Sequence, residues 1–161
     1  MKKSKPVALK KSKVIEAILS ALGGQFENYV ATSKKTRATG NDAHTKAEGK
    51  YDTRSTEENY LADGQAKQAL AARSALDAIA KLPLREFTAD TPLDLGALVE
   101  LQFPGEIMWF FLAPAAGGLE VTVAKRLITV LTLDSPLGNQ LKGRKPGDST
   151  QRPAAKIIAA L

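Results

Sequence analysis

The chain has 161 residues, 43% apolar and 25% charged, with no cysteine, a single histidine (His44) and a formal net charge of +6. That length bounds it at one or two domains with at least one real core. The lack of cysteine removes disulfides, thiolate metal sites and a cysteine nucleophile. One imidazole excludes a multi-histidine zinc site and leaves His44 as the only carrier for a Ser-His-Asp relay.

No apolar run approaches the roughly 20 residues that span a bilayer. The lysines near the N-terminus precede the apolar stretch Val14 to Leu22, but Gly23-Gly24-Gln25-Phe26 follows instead of a small-residue cleavage site. The expectation is a soluble protein of the cytoplasm, with no membrane partner.

The positive charge is unevenly placed. Residues 1–50 hold 11 Lys/Arg against 4 Asp/Glu, a balance of +7, whereas residues 51–161 hold 12 against 13, a balance of −1. Such asymmetry points to an anionic partner for one end of the molecule, or to a solvated basic arm.

Residues 1–13, lysine-rich with Pro6, read as a tail. Ile15, Ile18, Leu22, Phe26 and Tyr29 then recur at threes and fours, the stripe of a first helix. Gly23-Gly24 interrupts that stripe, at about 1 kcal/mol each relative to alanine, and marks either a close helix approach or a bend. Lys34 to Tyr51 has no apolar stripe and reads as a polar tip. Ala62, Ala66, Ala69, Ala72, Leu76 and Ile79 form the stripe of a second helix, small where the first is large. Large residues facing alanines allow a close antiparallel coiled-coil hairpin. Two helices of roughly 25 residues would reach about 40 Å.

From Pro83 onward seven prolines appear and the pattern changes to strands. Residues 97–103 and 106–113 flank Pro104-Gly105 and form a hairpin. After the turn at 114–118, residues 119–133 supply one or two more strands. Ser135-Pro136 opens a short helix, with serine as cap and proline in the first turn, and Gly143 closes it. Pro146-Gly147-Asp148 is a turn, and residues 154–161 close the sheet as an edge strand. Trp109, Phe110 and Phe111 belong to the core, since consecutive strand residues face opposite sides. The expected class is α+β: residues 1–82 as basic tail and helical hairpin, residues 83–161 as a small antiparallel sheet with a short helix.

The helical hairpin together with Met108-Trp109-Phe110-Phe111-Leu112-Ala113-Pro114 and the run from Leu133 to Asp148 is similar to the bacterial Gre transcription elongation factors (GreA and GreB). The run reads Leu-Asp-Ser-Pro-Leu-Gly-Asn-Gln-Leu-Lys-Gly-Arg-Lys-Pro-Gly-Asp, and the order of parts matches over essentially the whole chain. The resemblance implies a C-terminal domain like the FK506-binding-protein fold, without prolyl isomerase activity. It also implies a monomeric accessory factor, not itself an enzyme. Such a factor docks on RNA polymerase through the segment holding Asp134, Ser135, Pro136 and Leu137, and its hairpin enters the secondary channel. Acidic tip residues there help hold a second Mg²⁺ so that the polymerase cleaves backtracked RNA.

In the family the tip reads approximately Gly-Asp-hydrophobic-x-Glu-Asn-x-Glu-Tyr. Here Asn41 to Asp52 is the corresponding stretch, and aligning Tyr51 puts His44 at the Asp and Ala47 at the first Glu. Sliding by one residue gives Glu48 at the Glu but Thr45 at the Asp. The available carboxylates are Asp42, Glu48 and Asp52. Glu48 and Asp52 are four apart, on one helical face if helix starts near Ala47, and are the candidates for sharing Mg²⁺ with the polymerase. They serve equally to complement a helix N-terminus, as Asp42 serves in a turn. Lys34, Lys35, Arg37, Lys46, Lys50 and Arg54 ring the same tip, as a solvated face or as contacts to RNA phosphates. Two functions follow from the resemblance: stimulation of transcript cleavage, or a non-cleaving regulator of pausing or initiation on the same scaffold.

Overall fold

The computed structural model describes residues 8–46 and 53–161, and the side chains of residues 8–35 and 63–161. The chain is α+β and divides into two units. One holds the residues up to Ser20 together with Asp77–Leu161, and the other holds Ala21–Leu76.

Helix α1 runs Lys11–Lys46 and α2 runs Thr53–Ala80. The 36 residues of α1 extend about 54 Å at 1.5 Å per residue. Here the structure corrects the sequence expectation of a loop from Lys34: the backbone stays helical through Lys46. A polar stretch is not in itself a stop signal. Lys, Arg and Ala are good helix formers, no proline intervenes, and Gly40 costs only about 1 kcal/mol. Asp42 therefore lies on a helix and not in a turn.

In the unit of Ala21–Leu76, Leu22, Ser33, Ala69 and Ala72 are buried, while Phe26, Tyr29, Ala66 and Leu76 are half-buried. The two spaced stripes thus mark the covered faces. Gly23 faces Leu76: a Cβ on Gly23 would stand 3.9 Å from Leu76 Cδ1, in ordinary contact. Of the two readings of the glycine pair, Gly23 fits the close approach, and Gly24 has nothing within 4 Å.

The other unit is built on six strands: β1 (Leu98–Phe103), β2 (Glu106–Ala113), β3 (Glu120–Val123), β4 (Arg126–Thr132), β5 (Ser149–Gln151) and β6 (Ala154–Ala160), with helix α3 (Pro136–Leu141) between β4 and β5. Their order is β3-β4-β2-β1-β6-β5. The β1–β2 hairpin closes on the Phe103↔Glu106 pair. Pro104 followed by Gly105 at φ +86° is the residue pattern of a type II turn.

The sheet is mixed, which corrects the expectation of an antiparallel one. β2 and β4 pair in parallel, Trp109 opposite Ile128 and Phe111 opposite Val130. The intervening residues 114–125, which include β3, form the return leg that a parallel pair requires. β3 then lies antiparallel on the outside of β4. Alternation in sequence specifies which face a side chain takes, not which strand lies alongside.

Both faces of β1 and β2 are covered. Val99, Leu101, Phe110, Leu112 and Ile157 share a core with Phe87, Leu93, Ala97 and Leu141. Leu98 and Phe111, each next in chain to a residue of that core, face the other way and are buried, as are Ile128 and Val130. Val14, Ile18 and Ile79 of the same unit are at most 1% exposed. This is why the sequence runs apolar through consecutive positions such as 110–113 instead of alternating.

The sequence expectation of strand for the alanine-rich C-terminus holds as β6, but its expected place at the edge does not: β6 pairs with both β1 and β5, and the short β5 is the edge strand. Register slips between Glu100 and Leu101, leaving Ile158 as the extra residue of a bulge. β5 is only three residues long and carries no readable alternation.

Candidate functional site

The segment after β4 is held by a dense set of short-range contacts. Ser135 has extended backbone and caps α3. Its Oγ accepts from Gly138 N at 3.1 Å and donates to Thr132 O at 2.6 Å. One hydroxyl thus satisfies an orphan donor of the helix and ties the helix start to the end of β4. Pro136 occupies the first turn, where its missing N–H costs nothing. Sequence and structure agree on this helix, its cap and its end, where Gly143 takes φ +77°.

The helix exit is pinned from the other side of the chain. Gly143 N donates to Leu93 O and Leu93 N donates to Arg144 O, both at 2.8 Å. Leu93 and Leu141 are almost fully buried beneath that pair. Leu137 is half-buried and packs on the same core.

Gln140 supplies a third tie. Its Nε2 donates to Arg152 O at 2.5 Å, and its Oε1 accepts from Gln151 N at 2.9 Å and Arg152 N at 3.3 Å. A single side-chain amide therefore clamps α3 to the β5–β6 turn. From within, Thr150 Oγ1 donates to Pro153 O at 2.7 Å and secures the same turn.

What this scaffold displays is a small fixed surface. Asp134 and Pro136 are exposed, Ser135 and Leu137 half-exposed, and Lys142, Arg144, Lys145 and Arg152 stand exposed around them. The four residues expected from sequence to contact a partner are therefore consecutive, and the helix start that carries them is held by hydrogen bonds. Ser135 is primarily a cap, with its Oγ engaged on both sides.

Sequence reasoning assigned no role to Gly138 and Gln140. A glycine inside a helix was a readable sign of close approach. Nothing local signalled Gln140, whose partners lie 11 and 12 residues on.

The tip residues divide differently. Lys34 and Lys35 are exposed on α1. Arg37, Asp42 and Lys46 lie on α1 and Arg54 on α2, with side chains outside the described residues. Glu48, Lys50 and Asp52 lie outside the described residues altogether. Among the described residues no cluster of three or more His, Cys, Asp or Glu side chains could hold a metal, and no helix is long and apolar enough to cross a membrane.

The class defined by the fold is an α+β protein that joins two long helices to a six-stranded mixed sheet bearing a capped surface helix. Among solved structures it is similar to GreA factor homolog 1 (Gfh1) of Thermus thermophilus, at 18% identity over 90% of this chain and 95% of that one, with a TM-score of 0.34. A second structure, of the transcription factor Gfh1, matches at 19% identity over 89% and 93%, with the same TM-score of 0.34. Gfh1 of Thermus aquaticus matches at 17% identity over 90% and 94%, with a TM-score of 0.31. At these scores the likeness is loose and assigns no function. No protein-family model and no curated protein matches the chain.

Proposed function

We propose that this protein is a Gre-like transcription factor that binds bacterial RNA polymerase, docking through the surface around α3 and entering the secondary channel with its two long helices. The observation that carries the reading is the segment Leu133 to Asp148. Its sequence resembles the Gre pattern, and its fold presents Asp134 and Pro136 on a helix start fixed by the Ser135 cap. A preformed surface of this kind loses little entropy on docking.

Binding is tested by Asp134→Ala combined with Pro136→Ala, both exposed positions. The expected loss of polymerase affinity is roughly tenfold with unchanged circular dichroism. Unaltered affinity would remove the assigned surface.

The output of binding rests on the tip. In the first reading, Glu48 and Asp52, with Asp42, help the polymerase hold a second Mg²⁺, because hard Mg²⁺ needs only one or two protein carboxylates beside phosphate and water oxygens. The second reading is a non-cleaving regulator of pausing or initiation. It is favoured by the absence of the family's acidic pair in either register and by the bases Lys34, Lys35, Arg37, Lys46, Lys50 and Arg54 around the tip. Backtracked elongation complexes mixed with the protein and Mg²⁺ decide between them. Faster release of short 3′ fragments, lost in Glu48→Ala or Asp52→Ala, supports the first. Binding without acceleration supports the second.

A further inference from the structure

The two edges of the sheet are finished differently. β5 forms one edge, and there Gln151 N is taken up by Gln140 Oε1 at 2.9 Å. β3 forms the other. Its residues, Glu-Val-Thr-Val, include no proline and no lysine, so only shortness and Glu120 guard it against pairing.

β3 and β4 are joined through Ala124 and Lys125, so Val123↔Arg126 is the hydrogen-bonded pair that closes a two-residue turn. Ladder bonds alternate from there. Thr122, opposite Leu127, therefore turns its N–H and C=O away from β4, and Glu120 does the same. Both residues are exposed, and among the described residues no backbone group bonds to either from that open side.

A groove of about 640 Å³ opens beside this edge, a volume in the range of ligand clefts. Thr122 and Val123 line it on one side, and Lys10, Lys13, Glu16 and Ala17 at the start of α1 line it on the other. All belong to one unit of the structure. Glu16, the acid of the lining, is taken up by Lys13 at 3.1 Å. Lys10 is exposed and has no ion pair among the described residues, which leaves the groove with a surplus positive charge.

We propose that the β3 edge is a docking site for an extended acidic peptide of a partner protein, which adds as a strand beside β3 and sets a carboxylate against Lys10. The outward backbone groups of Thr122 and Glu120 supply the main-chain hydrogen bonds of such an addition, and Lys10 selects for charge. Ala17 is short and leaves room for the side chains that the added strand turns toward α1.

The test titrates the full chain with two capped, labelled peptides, followed by fluorescence anisotropy. One is Val-Asp-Val-Glu-Val-Asp, and the other carries lysine at the three acidic positions. The acidic peptide is expected to bind about fivefold more tightly, an advantage reduced by salt and lost in Lys10→Glu. Thr122→Pro removes an outward N–H while leaving the β3–β4 ladder bonds in place, and should weaken binding about tenfold. In the wild type, hydrogen exchange at the Thr122 amide should slow when the acidic peptide is added. No binding up to about 1 mM, or equal binding of the two peptides, would overturn the site. So would a Thr122 amide that gains no protection. A dimer in sedimentation that Thr122→Pro disperses would put a second copy of the chain, not a peptide, on this edge.

Discussion

Gly138 lies directly beneath the carbonyl of Thr132. A Cβ placed on Gly138 would stand 1.9 Å from that oxygen and 2.8 Å from Ser135 Oγ. The obstructing atom is backbone at the end of β4, so no rotamer change relieves the clash. Gly138→Ala should therefore displace α3 from β4 and cost about 3 kcal/mol or more, at the upper end of overpacking penalties. Urea unfolding measures it. A loss below about 1 kcal/mol would mean that the segment shifts freely, against the fixed docking surface proposed above.

Gln140→Ala removes three hydrogen bonds to the β5–β6 turn at a half-buried position. Exposed backbone groups recover water, so the expected cost is about 1–2 kcal/mol rather than the full desolvation penalty. Amide exchange at Gln151 and Arg152 should accelerate while Leu101 in β1 stays protected. Unchanged exchange at the turn would show that Thr150 holds it alone.

Ala124 and Lys125 link β3 to β4 with φ of 51° and 63°. Two successive positive φ values are the requirement of a type I′ hairpin turn, which Asn-Gly meets without strain. Ala124→Asn with Lys125→Gly should raise stability by about 1–2 kcal/mol, given the cost of left-handed backbone for ordinary residues. Thermal unfolding with no gain would show the strain to be smaller than that cost.

Burial lowers the titration of Lys11 below the ordinary lysine value, which has a definite sign in stability. Below its folded-state value the native protein bears the cost of a partly desolvated ammonium. As pH rises through the interval up to the ordinary lysine value, the unfolded chain holds more protons than the folded one, so stability rises with pH. Wild type should accordingly gain on Lys11→Met across the alkaline range, by a small amount because the side chain is only half-buried and solvent screens it. Parallel urea series at several pH values measure the gap. A constant gap, or one that moves the other way, rules out the shift.

Local signals were sufficient at several places where a residue and its partner are near in sequence. Pro104-Gly105, the Ser135 cap, the Gly143 stop and the turn at Pro146-Gly147-Asp148, where Lys145 N donates to Asp148 Oδ2 at 2.9 Å, are all contacts of a few residues' span. The helix of residues 34–46 departs from the sequence expectation because polarity alone is not an ending. A helix ends where a cap, glycine or proline stops it, and Gly40 alone did not.

The sequence by itself determined the change from helices to strands at Pro83, the β1–β2 hairpin, the C-terminal strand, both helical stripes, the capped helix after β4 and the placement of a +7 balance in residues 1–50. These follow from period, turn chemistry and counting, all properties of neighbouring residues. Only the tertiary structure decided that β2 and β4 run parallel, that Gln140 grips a turn 12 residues away and that Lys11 and Arg85 meet on Phe87. Each joins groups distant in the chain, and side-chain periodicity fixes the face a residue presents while leaving its partner to packing.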